Sequence, residues 1–534
     1  MKVLDYIKKQ SVFVVSLAVA LFVIVFGLLC NESLNSVSSS IMSWVSINFG
    51  WLYVFSVFAF CIFLLFVAFS KYGKLKLGKD DDKPKYGNFS WYAMLFCGGT
   101  GIGLVFWSIA EPLSHYVSPP AGIEAGTAEA ADFSMRISFL HWGVTQWACF
   151  AIVGLALAYF QFRKGKKALI SNTLQPLVGQ RATDGFFGKA IDIFSVIVSF
   201  AGVATSLGLG VSQICGGLNF LAGIPNTKVT WFWVILIVML IFLASALSGV
   251  SKGIKLLSNI NTYLAFALLI LAFIVGPKSD ILNNMITSVG QHMQNFFGDV
   301  LMIDSSDWIM NWRVFYYAWF IAWTPFVGMF IAQISKGRTV REFIIGVVII
   351  PTVFTIIWLS VFGTIALNAS EHWTLTELVN MVASPETAVF IVLGDYPLAK
   401  VISGLVVVLL AIFFITSADS ATYSLSMMTS NGSINPPIYK KIVWAIVEAA
   451  IAFLLLSAGS LKPLQTISIA ASLPFLFVMI AMCFSFIKDA KKESFVSFKS
   501  HQAEENKKIL ELNQDAKRAN IQEEKVFVTN ESAD

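Results

Sequence analysis

Long apolar runs alternate with short polar segments along nearly the whole chain. Twelve runs reach the length of about 20 residues that a helix needs to cross a bilayer of roughly 30 Å. They lie near 12–30, 50–70, 91–110, 139–160, 191–220, 231–249, 258–276, 314–334, 343–366, 400–418, 441–458 and 466–487. The pattern predicts an all-α integral membrane protein with twelve transmembrane helices. Two runs are interrupted. Gly98-Gly99-Thr100-Gly101-Ile102-Gly103 cuts the third, and Pro325 cuts the eighth. A lipid-facing helix gains nothing from a break, because freed amides and carbonyls meet no water there. Breaks in separate halves of a chain point to a transporter's binding cavity. The alternative is close packing, for which glycine is common between membrane helices. Gly99, Gly101 and Gly103 alternate and so do not share one helical stripe, which favours the cavity.

The two broken runs each head a group of five, runs 3 to 7 and runs 8 to 12. Because five is odd, such units sit in opposite orientations, an inverted five-plus-five repeat. The expected organisation is residues 1–90 with a short terminus and two peripheral helices, a ten-helix core over 91–487, and a polar tail over 488–534. The run 12–30 follows Lys8-Lys9 but has no small-residue cleavage site after Leu29, so it reads as a retained helix. Between runs, Pro119 to Asp132 reads as an irregular external loop. Ser279 to Phe297 reads as an external amphipathic helix with Ile281, Met285, Val289 and Met293 at four-residue spacing. In the tail, Ile509, Leu512, Ala516 and Ala519 form a thin stripe on a solvated helix.

Composition agrees: the chain is 57% hydrophobic and 13% charged, a balance no soluble domain has. Basic residues set the orientation. With a cytoplasmic amino terminus, the inside segments before the tail hold 22 Lys and Arg and the outside segments six, Arg136, Lys228, Lys278, Arg313, Lys400 and Lys462. Both termini are then cytoplasmic, and the net charge of +5 reflects topology rather than a nucleic-acid surface. The six cysteines lie in or at the ends of apolar runs without metal-ligand spacing and read as packing residues.

Three groups carry candidate chemistry. Trp142, Trp147 and Phe150 follow His141 on run 4, and Trp319, Phe320 and Trp323 lie on run 8, where Trp319, Trp323 and Phe326 share a face. Ring faces can hold a quaternary ammonium, which offers charge but no hydrogen-bond donor; the alternative is an interfacial belt. Phe413, Thr416, Ser417 and Ser420 share a face of run 10 beside Asp419, and their hydroxyls are hard ligands of the kind sodium takes, although such hydroxyls commonly bond their own backbone. Asp192, Asp419, Glu448 and His141 are ionisable groups in or near apolar runs. No HExxH, Walker loop, GxSxG or paired-carboxylate arrangement is present, so an enzyme has no support and no cofactor is expected.

Gly99-Thr100-Gly101-Ile102-Gly103-Leu104 with Glu111-Pro112, and Trp319-Phe320-Ile321-Ala322-Trp323-Thr324-Pro325-Phe326-Val327-Gly328 with Ile334-Ser335-Lys336-Gly337-Arg338-Thr339, resemble signatures of the betaine–choline–carnitine transporters, as do Leu207-Gly208-Leu209-Gly210 and Thr416-Ser417-Ala418-Asp419-Ser420-Ala421. The likeness runs from about Trp91 to Ser485. It implies the inverted-repeat fold of sodium-coupled amine transporters, a homotrimer and a bacterial cytoplasmic (inner) membrane. It maps an aromatic box onto Trp142, Trp147, Phe150 and Phe320, with Trp319 and Trp323 closing the pocket and Gly99, Gly101 and Gly103 beside the substrate. Phe150 and Phe320 replace the Tyr and Trp frequent in the family. Gly103 stands where members taking choline carry an acidic residue, which suits a substrate with its own carboxylate. The implied sodium site uses Cys97, Thr100, Phe413, Thr416 and Ser417. A second cation site would use Ser199 and the Phe326 ring, but Val203 supplies no oxygen there. No Lys or Arg lies between Ile191 and Phe220, which favours symport over exchange.

The expected function is sodium-driven uptake of a small zwitterion with a trimethylammonium or dimethylsulfonium head. The competing carrier is proton-coupled through Glu448 or Asp419, or an exchanger, taking carnitine, choline or a sulfonate such as taurine. A sensor would lack a signalling domain, and a channel would lack a ring of like charges or a carbonyl filter.

Overall fold

The computed structural model describes residues 10–29, 31–248, 253–457 and 469–493. The tail stripe and Cys30 lie outside the described residues. Helices run α1 Ser11–Leu29, α2 Asn31–Phe69, α3 Asn88–Gly99, α4 Gly101–Val117, α5 Ala128–Trp142, α6 Val144–Ala158, α7 Phe186–Ala222, α8 Lys228–Ser248, α9 Gly253–Val275, α10 Lys278–Val300, α11 Phe315–Ile334 and α12 Ile350–Asn368. They continue as α13 Leu375–Val382, α14 Pro385–Gly394, α15 Ala399–Met428, α16 Ile438–Ser457 and α17 Ile469–Glu493. Among the described residues there is no strand, and a lone bridge joins Lys76 to Thr339. Nine helices there are long and apolar enough to cross a membrane, or ten when the bent pair α3–α4 is one span. In addition, α1 and α16 coincide with the expected first and eleventh runs.

Burial sorts the helices. The apolar stretch of α11 is wholly buried, whereas only 28% of that of α8 is. The first is a central post and the second offers its apolar face to lipid. The post packs on α6 and α7, and α7 packs on α15. The broken pair α3–α4 touches both α11 and α15. The elements carrying the candidate residues therefore meet in one place.

The structure corrects several expectations. The eighth run is not broken: α11 continues through Pro325. Proline lacks the N–H that would bond Ile321 O, and the Thr324 hydroxyl donates to that carbonyl instead, at 2.7 Å. The loop expected over 119–132 is shorter, because Thr127 caps α5, its hydroxyl accepting from the Ala130 N–H at 3.3 Å. The fourth span is correspondingly longer than 139–160 and reaches Ala128–Arg163. Its outer turns looked too polar. In fact the Ser134 and Ser138 hydroxyls donate to carbonyls of their own helix (2.6 and 2.8 Å), and Arg136 pairs with Asp299 at 2.7 Å. In α10 the buried positions are Ile281, Ser288, His292, Asp299 and Val300, while Met293 of the expected stripe is exposed. Arg313, counted above among outside charges, is fully buried in a π-helical turn, Ile309–Val314, and donates to the Tyr317 hydroxyl at 3.2 Å. Two short helices, α13 and α14, stand where no element was expected.

Candidate substrate and cation site

The site is built on the break between α3 and α4. Thr100 ends α3, its N–H and hydroxyl both bonded to Phe96 O at 3.0 and 2.7 Å. Gly101 then takes φ +47°, a backbone region that favours glycine, and the axis turns by 65°. The last carbonyls of α3 and the first amides of α4 thereby lose intrahelical partners. Two of those carbonyls are met by side chains at the limit of hydrogen-bond length. Ser417 Oγ lies 3.5 Å from Cys97 O, and Gln146 Nε2 lies 3.5 Å from Gly99 O.

The alternate glycines each admit a different side chain. A Cβ at Gly99 would overlap the Trp147 ring. At Gly101 it would lie 2.6 Å from Ser417 Oγ, and at Gly103 2.6 Å from Trp142 Cη2 and 3.4 Å from Trp319 Cη2. Both readings of the glycine run thus hold together. The glycines are close-packing positions, but what packs on them is the site.

All six expected rings are buried and linked. Trp142 meets Trp319 edge-on at 6.1 Å and Phe320 at 6.2 Å, and Trp319 meets Trp323 edge-on at 6.1 Å. Phe150 stacks on Trp323 at 6.3 Å, and Trp147 meets Phe150 at 5.7 Å. The expected shared face holds, with Phe326 5.2 Å from Trp323. Burial of every ring excludes an interfacial belt. Trp142, Trp319, Phe320 and Trp323 line a cavity with Thr100, Gly103 and Gln146; Trp147 and Phe150 stand behind that wall. The cavity measures ≈ 10 Å³, about one water, against several hundred Å³ for an ordinary ligand pocket.

Sequence reasoning missed the group that positions Trp142. Glu111 is fully buried and accepts from Trp142 Nε1 (2.6 Å) and the Tyr316 hydroxyl (2.8 Å) on Oε2. On Oε1 it meets His141 Nδ1 at 2.7 Å and His115 Nε2 at 3.4 Å. This buried carboxylate holds the Trp142 indole by its Nε1, while the opposite edge of the ring stands against Gly103. The signal was present: an acid next to Pro112, with a histidine four residues on. It was lost because the third run was ended at Ala110. Glu111, His115 and His141 also have the proximity of a metal-binding trio, but Trp142 and Tyr316 already engage the second carboxylate oxygen.

The expected sodium ligands also converge. Thr416 Oγ1 lies 3.1 Å from Phe413 O and 3.0 Å from Ile412 O, and Ser417 Oγ reaches Cys97 O across the gap between α15 and α3. Oxygens 3.1–3.5 Å apart fit edges of a shell whose ion sits about 2.4 Å from each, the spacing of oxygen ligands around calcium, an ion of sodium's size. The Thr100 hydroxyl is engaged with Phe96 O. The second cation set is less complete. Ser199 Oγ donates to Ser195 O at 2.8 Å, Val203 has no polar side chain, and Phe326 O accepts from Ser424 Oγ at 3.1 Å. The other ionisable groups lie apart from the rings. Asp192 accepts from Ser171 N–H and Oγ (3.0 and 2.8 Å), Glu448 accepts from Thr422 Oγ1 (2.8 Å), and Asp419 accepts from Ser245 Oγ.

Residues 11–495 match the model of the "BCCT, betaine/carnitine/choline family transporter". The chain belongs to the betaine/carnitine/choline transporter family. Relatives in this family include the "Glycine betaine transporter OpuD" of Bacillus subtilis (strain 168), 46% identical over 91% of this chain and 95% of that protein. The "Probable glycine betaine transporter" of Desulfitobacterium hafniense (strain Y51) is 44% identical over 91% and 98%. The "Ectoine/hydroxyectoine transporter" of Virgibacillus pantothenticus is 40% identical over 90% and 97%. The protein is thus a multi-pass membrane transporter of the betaine/carnitine/choline family and not an enzyme.

Proposed function

We propose that the protein is a secondary active transporter that couples sodium entry to uptake of a small zwitterion with a cationic head, glycine betaine being the first candidate. The observation that carries this reading is one junction: four aromatic rings line a cavity against the broken helix, and Ser417 Oγ, beside the Thr416 hydroxyl and Phe413 O on α15, reaches Cys97 O at the end of α3. Ring faces stabilise a cation that lacks strong donors by about 0.5–2 kcal/mol each. The opposite end of the zwitterion is a carboxylate, for which the first amides of α4 and the Trp319 Nε1–H, which has no hydrogen-bond partner among the described residues, are donors. Ion and substrate would share the α3–α4 break, so either one orders the backbone the other uses. Names of the relatives, two for glycine betaine and one for ectoine, agree with a zwitterionic solute.

Around this site we infer twelve spans, an inverted five-plus-five repeat over 91–487, cytoplasmic termini, a bacterial inner membrane and a homotrimer. The net count of basic residues supports the orientation. The second cation site, Ser199 with Phe326, is not part of the proposal. A proton-coupled carrier is the competing reading, favoured by Asp419 Oδ1 and Glu448 Oε1, buried oxygens without hydrogen-bond partners among the described residues. Uptake of labelled glycine betaine into proteoliposomes decides between them. Accumulation with an inward sodium gradient and none with potassium in its place supports the proposal. Equal accumulation in both overturns sodium coupling.

A further inference from the structure

The wall of the aromatic box contains one side-chain amide. Gln146 stands in the first turn of α6, four residues after Trp142 and directly before Trp147. It is 2% exposed and lines the same ≈ 10 Å³ cavity as Trp142, Trp319, Phe320 and Trp323. Its sole hydrogen bond among the described residues runs from Nε2 to Gly99 O at 3.5 Å. A carbonyl only accepts, so the nitrogen must face Gly99, and this fixes which end of the amide is oxygen. That oxygen, Oε1, is buried and has no hydrogen-bond partner among the described residues.

A buried acceptor with no protein partner costs more than an apolar side chain there, and a leucine or methionine of similar volume would line the box without that cost. The glutamine makes physical sense when the ligand brings the donor. Trimethylammonium brings none. Its methyl C–H groups contact a carbonyl oxygen with about half the strength of an N–H. A protonated nitrogen with at least one N–H satisfies Oε1 and still presents its charge to the rings.

We propose that Gln146 is a specificity-determining residue. Its Oε1 accepts a hydrogen bond from an N–H or O–H on or beside the substrate's cationic head, so the box favours incompletely alkylated zwitterions over fully methylated ones. This rests on the transport reading above and narrows its substrate class. Cyclic amidinium zwitterions and partly methylated amino acids meet the requirement; glycine betaine does not.

N,N-dimethylglycine and glycine betaine differ by one N–H in place of one methyl, which makes them the test pair. Uptake kcat/KM of each is measured with full-length protein in proteoliposomes under a sodium gradient, for wild type and Gln146→Leu. Wild type is expected to favour dimethylglycine by about tenfold, the usual worth of a satisfied buried acceptor. Gln146→Leu is expected to remove that preference, lowering the ratio of dimethylglycine to glycine betaine kcat/KM about tenfold. A wild type that favours glycine betaine overturns the inference, and so does an unchanged ratio in Gln146→Leu. The wild-type ratio alone decides the matter if the variant does not reach the membrane. Transport of glycine betaine without any preference that depends on Gln146 leaves the transport reading standing, whereas transport of neither compound removes both.

Discussion

Replacing Gly103 by alanine adds one methyl where the broken helix touches the box. Its Cβ would lie 2.6 and 3.0 Å from two atoms of the Trp142 ring and 3.4 Å from Trp319. Carbon atoms in comfortable contact stand about 3.5–4.0 Å apart, so the Trp142 ring must retreat by roughly 1 Å. It has little room to do so. Glu111 holds its Nε1 at 2.6 Å, and Tyr316, Trp319 and Phe320 abut its edges at 5.8, 6.1 and 6.2 Å. Overpacking of this kind costs about 1–3 kcal/mol. The helical gain of alanine over glycine returns about 0.4–1 kcal/mol, acting mainly through the unfolded chain. The alanine gain acts on folding, whereas the penalty falls on the closed box, so kcat/KM for uptake should drop about 5- to 150-fold at near-normal membrane abundance. Gly404→Ala is the control, because nothing lies within 4 Å of the added methyl. Initial uptake rates normalised to protein in the membrane provide the readout. Wild-type kinetics for Gly103→Ala would refute the claim that the rings close directly on the α3–α4 backbone.

Three further outcomes follow from the same geometry. Trp323→Ala removes the ring between Phe150 and Trp319, together with the 2.9 Å bond from Nε1 to Gly202 O, and should abolish uptake while the protein still assembles; normal uptake removes the cage argument. Thr416→Ala with Ser417→Ala deletes two hydroxyls of the cation set and should raise the sodium concentration for half-maximal uptake at least tenfold, on the order expected from losing two ligands; an unchanged requirement points to another ion or site. Glu111→Gln turns an acceptor of four donors into a group that is itself half donor. It should lower the thermal midpoint and cut uptake at least tenfold, while Glu111→Asp recovers part of both; a stable, fully active Glu111→Gln contradicts the positioning role.

The spans were legible because burial in a membrane leaves a one-dimensional record: about 20 apolar residues per crossing. Polar residues that satisfy themselves blurred the record. Ser134 and Ser138 bond backward along α5, and Arg136 finds Asp299 on α10, so the outer turns of that helix looked like loop. Pro325 misled in the opposite direction, because Thr324, one residue earlier, replaces the missing donor and the helix runs on. Within the site, ring positions could be read from residue type and spacing. The roles of Glu111 and Gln146 could not, since each depends on a partner far along the chain: Tyr316 for the first, Gly99 for the second. Thr416 and Ser417 lay between. Their spacing suggested a ligand pair, yet the approach of Cys97 O to Ser417 Oγ from α3, on which the proposed cation set depends, could not be read from spacing.

Calorimetric titration of the purified transporter with the zwitterion it takes up, in sodium and then in potassium, tests the shared break most directly. Linked sites require each ligand to tighten the other by the same factor. The account predicts a dissociation constant at least tenfold lower in sodium, an equal gain in sodium affinity when the zwitterion is present, and loss of both effects in the Thr416→Ala, Ser417→Ala variant. Equal zwitterion affinity in sodium and potassium would contradict it.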